Sequence, residues 1–280
     1  MSGYDLHTHS THSDGTTRVA DNVAAAAALG LNGIAVTDHD TTASFDDARA
    51  AAEDSAIDVI VGTEFSAELD GLSVHVLGLW VDPHDEALIA ELARLRNERA
   101  DRARRIVAKF QALGVAITES QVAAIAGDAP VGRPHIAQAV VDAGVATTIA
   151  EVFDRYLADG GPAYVEKHAV DPVDAVTLLV AAGGVAILAH PGLYGDRTGQ
   201  GVDVAAIEAM ATAGLAGIEA DHPDHDEATR DTYRTVAERL GLEVTGGSDF
   251  HGSATGHPIG AALTPPAVVA RLRSRARAAS

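Results

Sequence analysis

Cysteine is absent from this 280-residue chain. That excludes a disulfide framework and any thiolate metal site, so a bound metal must be held by nitrogen and oxygen donors. Lysine is nearly absent too, Lys109 and Lys167 being the only two. With 20 Lys and Arg against 40 Asp and Glu, the formal net charge is −20. Sequence-independent binding of duplex nucleic acid needs a basic surface, so duplex DNA is not an expected partner. An anionic substrate remains compatible, because bound metals invert the local potential. Aromatic residues make up 4% of the chain and Ala is abundant, which suggests helices packed through small side chains. No apolar run approaches the length of a membrane span, and the apolar pattern begins by Tyr4, leaving no room for a signal peptide. The expectation is a cytoplasmic enzyme that does not engage a membrane. Nothing in the chain signals an oligomeric state.

What is present is an alternation. Short β-rich apolar runs at Tyr4–His7, Gly33–Thr37, Asp58–Glu64, Leu72–Trp80, Val185–Ala189, Gly217–Ala220 and Glu243–Gly247 are separated by Ala-rich amphipathic runs at Val19–Leu29, Ser44–Asp54, Asp174–Ala182, Val204–Ala213 and Glu227–Leu240. Strand–helix alternation predicts an α/β fold on a parallel sheet, and 280 residues suit one barrel with an insertion. The alternation breaks between 83 and 163. There Asp85–Leu113 reads as a long charged helix, followed by helical stretches at Glu119–Ala126, Arg133–Ala143 and Thr148–Leu157 and a Gly160-Gly161-Pro162 turn. We expect residues 1–82 and 164–280 to form the barrel and 83–163 a helical cap. Arg271, Arg273, Arg275 and Arg277 read as the solvated face of a terminal helix.

Histidines and acids gather where the β-runs end. His7 and His9 sit two apart, which on a strand puts both imidazoles on one side. Asp14 follows in Ser13-Asp14-Gly15. His39 lies between Asp38 and Asp40, either of which could orient it. Glu64 ends a Val/Ile run, and a carboxylate there can bridge two metals. His75 interrupts an apolar strand, His190 precedes Pro191, and Asp249 and His251 repeat the two-residue spacing. In barrels of this kind the site lies at the carboxyl ends of the strands, where most of these groups fall. Imidazoles and carboxylates converging from several strand ends suit a multi-metal site, which would activate water for hydrolysis.

The ordered set His7-x-His9, Asp14, His39, Glu64, His75, His190, Asp249-x-His251 resembles the PHP (polymerase and histidinol phosphatase) superfamily. That resemblance implies a distorted (β/α)7 TIM-like barrel holding two to three divalent ions, Mn, Fe or Zn, at its mouth. It assigns His7, His9, Glu64 and Asp249 to one ion, Glu64, His75 and His190 to a second, and Asp14, His39 and His251 to a third. Some members carry His at the Asp14 position; a carboxylate there favours a harder ion. Gly132-Arg133-Pro134-His135, Ala189-His190-Pro191-Gly192 and Gly247-Ser248-Asp249-Phe250-His251-Gly252 are similar to the subgroup acting on nucleotide phosphates, which includes a nucleoside 3′,5′-bisphosphate phosphatase that also trims RNA 5′ ends.

The resemblance implies a phosphoesterase working through a metal-bridging hydroxide, with His7, His9, Asp14, Glu64, His190 and Asp249 as its catalytic set. The expected partner is a small phosphorylated substrate, a nucleotide such as pAp or a short RNA. Arg133 and His135 read as a phosphate clamp, because guanidinium grips phosphate through a planar fork. Lys167 is a candidate for a second phosphate. His222 and His225 follow the run Gly217–Ala220 and are candidate substrate contacts. A histidinol-phosphate-type phosphatase is the nearest alternative. An amidohydrolase or a non-catalytic metal-binding domain are alternatives of other classes; the first lacks a strand-borne lysine to carboxylate, the second sits poorly with a complete ligand set.

Overall fold

The computed structural model describes residues 2–127, 131–158, 160–166, 170–194, 201–254 and 256–276. Seven strands form one sheet in chain order: β1 (Tyr4–Asp5), β2 (Gly33–Val36), β3 (Asp58–Leu69), β4 (Leu72–Leu79), β5 (Val185–Leu188), β6 (Gly217–Asp221) and β7 (Glu243–Gly246). Beyond β1 and β7 the two edges approach each other through Leu6 N–H to Gly246 O (3.4 Å) and a parallel bridge between Thr8 and Phe250. The sheet is therefore nearly closed into a barrel. The expected strand–helix alternation is present: α1 (Val19–Ala28) and α2 (Phe45–Glu53) precede β2 and β3, and α7 (Pro172–Ala181), α8 (Val204–Ala213) and α9 (Glu227–Leu240) precede β5, β6 and β7. Asp171, Asp203 and Asp226 cap these last three helices, each accepting a first-turn N–H at 2.8 Å.

One expectation needs correction. The sheet is not all parallel, because β4 runs antiparallel to both β3 and β5. The cause is Asp70-Gly71, whose φ angles of 49° and 83° make a two-residue hairpin turn. A parallel return would need a crossover of a dozen or more residues. The reversal matters to the site. In a reversed strand the early residues lie where the parallel strands finish, so His75, paired across from Ser66, sits beside the end of β3.

The barrel interior is filled by Leu6, Ala35, Ile60, Leu77, Leu79, Val185 and Ile187. Burying such a side chain stabilises by about 1.5–3 kcal/mol. Val269 and Leu272 of α10 (Pro266–Arg273) join this cluster, and Arg273 pairs with Asp58 at the start of β3. Helix α10 thus closes the end opposite the site. Its arginines, Arg271 exposed and Arg273 half-buried, are paired rather than merely solvated, Arg271 gripping Glu243 at 2.6 and 2.7 Å; Arg277 lies outside the described residues.

The chain divides into two compact units, Met1–Leu92 with Ala169–Ser280, and Ala93–His168. The division falls within the long helix α3 (Glu86–Ala112). The second unit is built from the rest of α3 with α4 (Glu119–Ala126), α5 (Arg133–Asp142), α6 (Ile149–Val152) and a π-helical turn at Phe153–Leu157. It has its own core, in which Ile106, Phe110, Ile136, Val140 and Val152 are nearly or fully buried. Among the described residues no helix is long and apolar enough to cross a membrane.

Candidate metal centre

The strand ends deliver their polar side chains to one place. His7 and His9 follow β1, His39 follows β2, Glu64 lies in β3, His75 in β4, His190 follows β5, and Asp249 and His251 follow β7. Three residues in these segments are held with positive φ: Asp40 (50°), His190 (23°) and Asp249 (50°). Such conformations cost about 1–3 kcal/mol each for a side-chain-bearing residue and persist where the surroundings over-determine them. Asp40 is pinned by Ser66, whose N–H and hydroxyl donate to its carboxylate at 2.8 and 2.9 Å. The packing is close: a Cβ at Gly247 would lie 2.4 Å from the Cβ of His7 and 2.6 Å from Glu219 Oε1, so no larger residue fits there.

Glu64 is the hub. Its Oε2 lies 3.2 Å from His7 Nε2, 3.1 Å from His9 Nε2 and 3.1 Å from His39 Nδ1. Its Oε1 lies 2.7 Å from His75 Nδ1 and 3.2 Å from His190 Nε2. Asp249 Oδ1 stands 3.3 and 3.2 Å from His7 Nε2 and His9 Nε2. A third carboxylate, Asp14, lies 3.2 Å from His251 Nε2, 3.6 Å from His39 Nε2 and 3.7 Å from His9 Nδ1.

Among the described residues these donors fall into four groups: His7, His9, Glu64 and Asp249; His9, Asp14, His39 and His251; His39, Glu64 and His75; and His7, His190 and Glu219. The first group is the one the resemblance implies for one ion. The second adds His9 to the implied third. The remaining two redistribute the implied second, with His39 beside Glu64 and His75, and His190 beside His7.

The donor set fits divalent cations. His7 Nε2, both nitrogens of His9, His39 Nδ1, His75 Nδ1 and Glu64 Oε2 are buried without a hydrogen-bond partner. An orphaned buried polar atom costs about 1–3 kcal/mol, and so many in one place point to a shared ligand. Atoms bound to a common ion at 2.0–2.2 Å stand about 3.0–3.4 Å apart, which is the spacing of most of these contacts. The inner side is sealed, His7 and His9 being 0% and Glu64 1% exposed, whereas Asp14 (35%), His75 (22%) and Asp249 (20%) face outward. Open coordination positions would lie on that outer side.

Without ions the groups balance one another. Burial alone would raise Glu64, but His39, His75 and His7 hold its carboxyl well below the usual range. Burial likewise opposes Asp249, which His7, His222 and His9 keep low. Burial disfavours the imidazolium of His7, yet Glu219, Glu64 and Asp249 outweigh it and hold the group well above its ordinary value. For His9 burial is overcome by the carboxylates of Asp249 and Glu64 beside its ring, and it rises to about 10. For His39 burial wins, and it falls to about 3. His7 and His9 therefore carry protons at neutral pH that a cation must displace. Loading with Mn²⁺ at pH 7 should release protons, measured by calorimetry in buffers of different ionisation enthalpy; a heat independent of buffer would contradict this.

Behind these donors stand Glu219, Asp5 and Tyr194, which the sequence did not single out, and Asp38, which it did. Glu219, buried in β6, accepts from His7 Nδ1 at 3.1 Å and from the backbone N–H of His190 at 3.0 Å. Its signal was a carboxylate inside an apolar run. Asp5 accepts from Ser248 N–H (2.9 Å) and Gly260 N–H (2.8 Å), tying β1 to the segment after β7. Tyr194 accepts from His75 N–H at 2.8 Å and lies against the rings of His75 and His190. Asp38 accepts from Ser10 N–H and from the hydroxyls of Ser10 and Ser13, so it orders the loop leading to Asp14.

His222 is fully buried, and its Nδ1 accepts from Asp224 N–H at 3.1 Å. Its proton therefore sits on Nε2, 3.6 Å from Asp249 Oδ2. His225 donates from Nδ1 to Ala220 O (2.9 Å) and accepts at Nε2 from Gly192 N–H (3.1 Å), so both nitrogens serve the backbone. In the second unit Arg133 stacks over Phe153 at 5.6 Å, and His135 Nδ1 accepts from Gly132 N–H at the start of α5. Lys167 lies outside the described residues.

Known proteins resemble the chain over most of its length. Residues 5–125 match the PHP domain model. The 3′,5′-nucleoside bisphosphate phosphatase of Chromobacterium violaceum is 35% identical over 91% of this chain and 90% of its own. The 5′-3′ exoribonuclease of Haemophilus influenzae is 35% identical over 89% of each. A crystal structure from Bifidobacterium adolescentis, assigned as a metal-dependent phosphoesterase, superimposes with a TM-score of 0.84 at 33% identity, covering 98% of this chain and 96% of that one. Together with the convergent donor set, these matches show that the chain belongs to the PHP domain family and is a metal-dependent phosphoric ester hydrolase.

Proposed function

We propose that this enzyme removes the 3′ phosphate from a nucleoside 3′,5′-bisphosphate such as adenosine 3′,5′-bisphosphate, leaving AMP. The observation that carries the chemistry is Glu64, whose two oxygens face five imidazoles from four separate segments. A carboxylate so placed would serve neighbouring cations together. His7, His9, Glu64 and Asp249 would hold one ion, Asp14, His39 and His251 another, and His75 and His190 one sharing Glu64, so the proposal is two to three ions of Mn, Fe or Zn. Bound there, such ions supply Lewis acidity at the phosphoryl oxygens and lower the pKa of water. The choice of substrate is supported by the Chromobacterium violaceum relative.

The chain's own residues do the rest. Neutral imidazoles and ionised carboxylates would hold the cations in fixed positions beside the phosphate, so that their positive charge needs no reorganisation during reaction. His222 presents an Nε2–H to the centre and is proposed to contact substrate. His225 is proposed as a brace for the His190–Leu193 turn instead. Arg133 is proposed to grip a phosphate that is not cleaved, gripping it equally in ground and transition states. Arg133→Ala should then raise KM with kcat little changed, an increase of about tenfold or more for one lost charge-assisted pair. An unchanged KM in steady-state kinetics would remove Arg133 from the site.

A second reading, removal of nucleotides from short RNA 5′ ends, is favoured by the Haemophilus influenzae relative. The net charge of −20 restricts it to short chains. The test is product release by the Mn²⁺-loaded protein from adenosine 3′,5′-bisphosphate, a 5′-phosphorylated oligoribonucleotide and histidinol phosphate. Turnover of the bisphosphate above the other two supports the proposal. Good activity on histidinol phosphate with none on the bisphosphate would sink it.

A further inference from the structure

Strand β6 carries a fully buried acid, Glu219, that faces a candidate ligand from behind. We infer that Glu219 is the positioning residue of the centre, fixing His7 in the tautomer that leaves Nε2 free to bind and tying His190 to it. The inference rests on the metal-dependent reading above and adds a residue to it.

His7 divides its two nitrogens between different environments. Nε2 faces Glu64 and Asp249 and is orphaned. Nδ1 faces both oxygens of Glu219, at 3.2 and 3.1 Å. A neutral imidazole has one lone pair and one N–H, so a ligand nitrogen at Nε2 requires the proton at Nδ1. Glu219 accepts that proton's hydrogen bond. Its Oε2 also accepts the N–H of His190, whose φ of 23° is one of the strained angles of the site. Both partners of Glu219 are N–H donors. A carboxylate occupied by two such donors serves as an outer-shell acceptor rather than as a ligand, although Glu219 lies close enough to His7 and His190 to be grouped with them. The buried acid thus couples a residue after β1 to one after β5.

Two variants separate reach from charge. Glu219→Gln keeps an acceptor opposite Nδ1–H and removes the charge. Glu219→Asp keeps the charge and withdraws the acceptor by one methylene. Mn²⁺ alone is titrated into each protein, with free Mn²⁺ read by electron paramagnetic resonance. Glu219→Asp should weaken the affected ion by about 10–100-fold, the usual loss for an outer-shell partner, and Glu219→Gln by less than about fivefold. An Asp variant that binds Mn²⁺ no more weakly than the Gln variant overturns the inference. So do two variants that both bind as wild type. If wild type itself takes up no Mn²⁺, the metal-dependent reading fails instead.

Discussion

Glu64→Gln should lower kcat by at least about a thousandfold, roughly 4 kcal/mol in the barrier, and release more than one equivalent of bound Mn²⁺. The substitution keeps the volume of a side chain that is 1% exposed, so the fold is retained. What changes is the charge and one oxygen. Glu64 places Oε2 among His7, His9 and His39 and Oε1 against His75 and His190. An amide presents an NH₂ group to one of those sets, and a donor there cannot ligate. Two groups of donors share this carboxylate, so its loss should be felt at both. Metal analysis of the purified variant beside single-turnover kinetics gives the result. Wild-type stoichiometry with a rate within tenfold would show that Glu64 does not link the ions.

The second large effect is on stability. Stripped of ions, the protein should lose thermal stability as pH rises from about 6.5 to 9, whereas the loaded protein should hold or gain it. The sign follows from His7 and His9, both raised above the ordinary histidine value, His9 to about 10. A group with a raised folded pKa stabilises fully below its unfolded value and loses that contribution as pH climbs toward the folded one. Removing those protons leaves Glu64, Asp249 and Glu219 facing one another without counter-charge. Ions reverse the slope, because their affinity grows as the imidazoles deprotonate. Melting curves with chelator and with excess Mn²⁺ across that range test the difference. Parallel curves would mean that the ions do not occupy this cluster.

Much of the site was readable in the chain because its chemistry departs from its context. His7, His9, His39, His190 and His251 stand out against apolar runs, and a histidine pair two apart on an extended segment announces a shared side. Glu219 carried the same kind of signal, an acid inside Gly217–Asp221, yet single acids in short apolar runs are easily read as strand ends facing solvent. Its role became visible only when Nδ1 of His7 was found against it. One of Asp38 and Asp40 was expected to orient His39; Asp38 receives Ser10 and Ser13, and Asp40 receives Ser66. Local sequence proximity is a weak guide to hydrogen-bond partners when the segment leaves the sheet. His225 looked like a substrate contact from its position after β6, and its ring turned out to be spent on Ala220 and Gly192.

The reversal of β4 is the instructive departure in the fold. Asp70-Gly71 is a strong hairpin dipeptide, but the apolar runs on either side also fit two buried parallel strands, since periodicity reports burial and not direction. Direction depends on which strand edge is open when the chain turns, a property of the assembled sheet.

Composition and order alone established that any ion here is held by imidazole and carboxylate, and that these groups end strands of an α/β barrel, because donor type and burial pattern are written residue by residue. Which nitrogen of each ring faces Glu64, which donors group together and which acid backs His7 were chosen by packing. Those are relations between segments more than two hundred residues apart in places, as His7 is from Glu219 and Asp249, and they acquire values only when the sheet closes and brings the segments within hydrogen-bond reach.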